Sequence, residues 1–174
     1  MGGLAYSDIQ DGTRWAVSEG IADPKRICMV GWGYGGYQAL LAAARNGDTY
    51  RCAVSINGIT DLDRYQDNGA MLGEKEFRRA LIGTDKEKLK SESPVENASK
   101  INIPVLLIHG TKDWLVQMDH MTAMENALDK YEKDVTVVTI KNAGHELERK
   151  SDRMALLREV ESFLGEKLAP GATN

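Results

Sequence analysis

Apolar and polar positions change period several times along the chain. Ile9, Gly12, Thr13, Ala16 and Val17 recur at helical spacing, and Gly20 with Asp23-Pro24 closes the segment, so a first helix of about four turns is predicted. Arg26-Ile27-Cys28-Met29-Val30 then predicts a buried strand. It runs through the glycine-rich hexapeptide Gly31 to Gly36 into Tyr37 to Ala44, an Ala- and Leu-rich helix ended by Asn46-Gly47. Further strands are predicted at Arg51 to Ile56, Pro104 to His109 and Val135 to Ile140, the second of these a continuous apolar run suited to a sheet covered on both faces. Helical patterns lie between and after them: Phe77 to Ile82; Met121, Met124, Leu128 and Tyr131; and Leu157, Val160, Leu164 and Leu168. Strands alternating with helices predict an α/β fold, a mostly parallel sheet of about four strands flanked by helices and joined by right-handed crossovers. No internal repeat or Pro/Ser-rich linker interrupts residues 1–174, which are expected to form a single domain. The stripe Met118, Met121, Met124 is expected to fill the core.

The hexapeptide Gly31 to Gly36 sits between a predicted strand and a predicted helix, and two chemistries use such a turn. Gly31, Gly33 and Gly36 match the dinucleotide-binding pattern G-x-G-x-x-G. That use also needs an acid at the end of the next strand, where this chain has Asn57-Gly58, with Asp61 only later. The other is the nucleophile elbow G-x-S-x-G, with Gly33 standing in the serine's place. A turn needed only for close packing is the third reading.

Composition narrows the partners. The 174 residues carry a formal charge of -4 from interspersed acids and bases, which argues against a nucleic-acid surface or a polybasic membrane patch. The chain shows neither an apolar run of membrane-spanning length nor a leader-like start at MGGLAYSDIQ, and a cytoplasmic location is expected. On that expectation Cys28 and Cys52 are read as buried free thiols. His109, His120 and His145 have no metal-ligand spacing, so no metal is expected; of these, His109 is read as a structural hydrogen-bonding group and His120 as a solvated helix residue.

The motifs taken together resemble the prolyl oligopeptidase family. Asp23-Pro24-Lys25-Arg26-Ile27 before the strand, Gly35-Gly36-Tyr37 after the elbow, Ser93-Pro94, the run Ile103 to Asp113 with Val116, and Gly144-His145 after the last strand all look like that family's segments, in a match from about Ser7 to Leu168. The resemblance is nearest to its acylaminoacyl-peptidase and dipeptidyl-peptidase branches, and it implies the C-terminal half of an α/β-hydrolase catalytic domain. It further implies that His145 is the general base, Asp113 the acid that orients it, and the N–H of Tyr34 an oxyanion donor, with no cofactor and with peptide or small ester substrates. Gly33 departs from the family at the nucleophile, which predicts no hydrolysis by the chain as written. A non-catalytic binding or assembly module on the same fold is the alternative reading, with dinucleotide binding a distant third. By the same resemblance the strand Arg26 to Val30 would lie mid-sheet in a full domain. Its open edge is expected to pair with a second copy or with the N-terminal half.

Overall fold

The structure is a computed structural model that describes residues 3–67 and 74–170. In chain order it comprises α1 (Leu4–Ser18), β1 (Cys28–Trp32), α2 (Tyr34–Arg45), β2 (Cys52–Ile56), α3 (Leu62–Asp67), α4 (Glu74–Ile82), α5 (Lys86–Glu92), a 3-10 segment (Pro94–Lys100), β3 (Val105–Gly110), α6 (Met118–Lys130), β4 (Val135–Ile140) and α7 (Lys150–Lys167). The four strands form one parallel sheet in the order β1-β2-β3-β4. All strands therefore end on the same side, and the loops that follow them gather there.

Alternation along the central strands divides the core. Ala53, Val105 and Leu107 face α2 and α6, where they meet Leu40, Met121, Met124 and Leu128. Val54, Ile56, Leu106 and Ile108 face α7 and its Leu156 and Phe163. A third apolar cluster, with Tyr37, Leu41, Ile59, Leu62, Leu89 and Val116, seats α3 and α5 above the strand ends. Burial at roughly 25 cal/mol per Å² of apolar surface is what holds these layers together.

The outer edge is different. β2 and β3 are buried throughout, whereas β1 is only half-buried and Val30 is 45% exposed. The strand also begins two residues later than predicted, because its ladder with β2 runs from Cys28↔Cys52 to Trp32↔Ile56 and carries the chain directly into Gly33. Both faces of β1 are partly covered, Met29 joining the α2 side and Cys28 and Trp32 the α7 side.

Four sequence expectations need correction. Cys28 and Cys52 are joined in a disulfide, because parallel register sets them opposite one another with Cα atoms 4.7 Å apart, within bridging range. On α7 Val160 and Leu164 pack on the core as predicted, but Leu156 and Phe163 are the buried leaders of the stripe, while Leu157 is 58% exposed. Between β2 and β3 the chain adds α3 and α5, which are too short and too polar to give a periodic signal.

His120, expected to be solvated, is instead fully buried on the inner face of α6, in line with Met124 and Leu128 at a four-residue spacing. Its Nδ1 faces the Thr60 and Asp61 N–H groups at 3.3 and 3.4 Å, and its backbone carbonyl accepts from Thr60 Oγ1 at 2.7 Å. Burial lowers its pKa to about 4, outweighing the attraction of Asp119 and Asp61. The unfolded chain thus takes up this proton first, so stability present above pH 6.5 is lost as the pH falls toward 4. Thermal melts across that window should lose up to about 3 kcal/mol through this group. A neutral replacement, His120→Gln, should flatten the acid slope by nearly one proton; an unchanged slope would exclude His120 as its source.

Candidate active site

Gly33 is placed by two constraints on its turn. A side chain at Gly31 would start 2.0 Å from the Gly35 carbonyl oxygen, so the chain can fold back this tightly only with glycine there. Gly33 itself has φ 55° and ψ -113°, a backbone state costing other residues about 1–3 kcal/mol. Its N–H donates to the Ile56 carbonyl at 2.8 Å, and the next residue opens α2. Position 33 thus stands at the end of the sheet, above β1 and β2. A Cβ built there would lie 3.1 Å from Nε2 of His145.

His145 follows β4, and its Nδ1 lies 2.7 Å from Oδ2 of Asp113, which follows β3. The Asp113 side chain is wholly buried, and its other oxygen accepts from the N–H groups of Leu115 and Val116 at 2.9 Å. Those bonds fix the carboxylate while leaving Oδ2 for the imidazole. His109 sits behind, with Nε2 2.8 Å from the Val116 carbonyl and 3.7 Å from the same carboxylate; burial lowers its pKa. It pins the loop rather than facing the cleft. An imidazole oriented in this way can take a proton from a group at position 33 through Nε2 while the buried acid stabilises the cation.

Gly33, Tyr34 and His145 line one cleft of about 500 Å³ whose remaining walls are apolar, with Ile59, Tyr65, Leu115 and Val116 among them. Arg78 braces this wall: its guanidinium lies 4.1 Å from the centre of the Tyr65 ring and donates to the Tyr65 carbonyl at 2.9 Å. Tyr34 begins α2, and its hydroxyl accepts from Gln38 Nε2 at 2.6 Å. The structure thus brings Gly33, Tyr34, Asp113 and His145 together at one end of the sheet. Among the described residues no cluster of His, Cys, Asp and Glu could hold a metal ion, and no helix is long and apolar enough to cross a membrane.

Two residues with no role assigned from sequence also reach the site. Trp32 Nε1 and Asn57 Nδ2 both donate to the backbone carbonyl of His145, at 2.9 and 2.7 Å. Asn57 had a faint signal, since an Asn-Gly pair after a strand marks a sharp turn, and here Asn57 has φ 47°.

The sequence model of the prolyl oligopeptidase family matches residues 1–171. The chain belongs to the prolyl oligopeptidase family. Dipeptidyl peptidase family member 6 of Caenorhabditis elegans is 28% identical over 167 residues, covering 91% of this chain and 23% of that protein. A solved puromycin-hydrolyzing peptidase of Mycobacterium tuberculosis superposes with TM-score 0.90 at 26% identity, over 97% of this chain and 26% of its own. The acylaminoacyl peptidase of Pyrococcus horikoshii shares the fold, with TM-score 0.88 at 24% identity, over 99% of this chain and 29% of its own. This prolyl oligopeptidase family chain thus has an α/β-hydrolase fold of peptidase type, and it spans about a quarter of the length of these relatives.

Proposed function

We propose that the chain carries the acid-base part of a serine-hydrolase acyl-transfer site, of peptidase or esterase type, with glycine where the nucleophile would stand. The observation that carries this reading is the 3.1 Å between a Cβ at position 33 and His145 Nε2, on an imidazole already bonded to Asp113. With a hydroxyl at that position, Nε2 would accept its proton as the oxygen attacks a carbonyl carbon, and Asp113 would stabilise the resulting imidazolium. The N–H of Tyr34, in the first turn of α2 where such groups point along the helix axis, would donate to the oxyanion. His145 would then return the proton to the departing amine or alcohol. The apolar cleft suits an uncharged side chain or acyl group beside the reacting carbonyl.

Glycine supplies no attacking atom, and losing a triad nucleophile typically costs about a millionfold in turnover. The chain as written keeps the cleft and lacks the chemistry. Its hydrolysis of a p-nitrophenyl ester should therefore match that of a His145→Ala variant. Saturable turnover that disappears with His145→Ala would contradict the inactivity and require another nucleophile.

A further inference from the structure

Asn57 is wholly buried at the end of β2, and its side-chain amide is used at both ends. Oδ1 accepts from the Gly110 N–H at 2.8 Å, at the end of β3, and Nδ2 donates to the His145 carbonyl at 2.7 Å, in the loop after β4. Its own N–H donates to the Ile108 carbonyl at 2.8 Å. One short side chain thus ties together the ends of two neighbouring strands and the imidazole-bearing residue. The φ of 47° suits this residue type, because asparagine tolerates the left-handed region far better than most side chains while offering both a donor and an acceptor.

We infer that Asn57 is a positioning residue that holds the His145 ring over position 33, acting through the His145 backbone carbonyl and assisted there by Trp32. This rests on the acid-base reading of Asp113 and His145 above. Asp113 fixes which way Nδ1 points, but a ring also swings with its own backbone, and a displacement of about 1 Å at the reacting atom is enough to lower rates by two orders of magnitude. Two donors on the carbonyl of the same residue restrain that swing. A backbone tie serving stability alone would not need to meet the chain at His145.

The test uses the full chain carrying Gly33→Cys, in which Cys28 and Cys52 are held in their disulfide and the introduced thiol is the one to be alkylated. An isolated thiol is almost entirely protonated at pH 6, so fast reaction with iodoacetamide there requires an imidazolium beside it, whereas at pH 9.5 any accessible thiol reacts. His145→Ala in this background should lower the pH 6 rate at least about tenfold and leave the pH 9.5 rate unchanged. Asn57→Gly, which relaxes the backbone while removing the amide, should do the same, and Trp32→Phe should give a smaller fall in the same direction. Asn57→Ser, whose hydroxyl is too short to span both partners, serves if the glycine variant does not fold. A pH 6 rate within twofold of the parent in a folded Asn57 variant would overturn the positioning role while leaving the His145 reading intact. If His145→Ala itself changes nothing, the acid-base reading fails and the role of Asn57 fails with it.

Discussion

A single oxygen at position 33 is expected to make the chain reactive: Gly33→Ser should form a stoichiometric adduct with a fluorophosphonate, at a rate at least about a thousandfold above the parent chain. The expected gain is large because the partners are already in place. Nε2 faces the position at 3.1 Å from a Cβ, Nδ1 is bonded to Asp113 at 2.7 Å, and the carboxylate is fixed by two backbone N–H groups. Intact-mass spectrometry reads the adduct directly, and both His145→Ala and Asp113→Asn should suppress it in the serine background. The same substitution should also cost stability. A side chain at φ 55° and ψ -113° is strained by about 1–3 kcal/mol, and its Cβ presses on the imidazole. Urea titration should thus show the reactive variant to be the less stable one. Glycine at the elbow carries none of this strain.

The second large effect is expected at the other end of the same strand. The Cys28–Cys52 disulfide closes a loop that contains β1, the elbow and all of α2. Constraining the unfolded chain over a loop of this length contributes about 3 kcal/mol. Reduction, or Cys28→Ser with Cys52→Ser, should lower the urea midpoint accordingly. Hydrogen exchange should rise first in β1, the half-buried edge strand, and later in β2 and β3. Equal midpoints with and without reductant would show that the bridge adds nothing to stability.

How far the sequence foretold these features depends on the kind of information each needs. The central strands were legible because an apolar run such as Val105 to Ile108 is buried on both faces and has few alternatives. Gly33, Asp113 and His145 were singled out by the family resemblance, and they meet because each follows a parallel strand and parallel strands bring their C-terminal ends together. What escaped depends on relations between elements. The disulfide follows from register, which sets Cys28 opposite Cys52 and which periodicity does not encode. Asn57 was noted only for not being the acid a dinucleotide site needs, and its bonds to Gly110 and His145 join the end of β3 to the loops after β2 and β4. His120 stood in line with Met124 and Leu128, so its burial was available from helical spacing and was obscured by its polarity. On α7 the spacing admitted two faces, and packing against Val54 and Leu106 selected Leu156 over Leu157.

The most direct test of a retained acid-base pair facing an empty position requires neither nucleophile nor substrate. A proton held between Nδ1 of His145 and Oδ2 of Asp113, which lie 2.7 Å apart with the carboxylate wholly buried, should give a slowly exchanging low-field line in the ¹H NMR spectrum of the chain as written. This line should persist in Gly33→Ser and vanish in Asp113→Asn. A folded chain without the line, or one whose line is unaffected by Asp113→Asn, would contradict it.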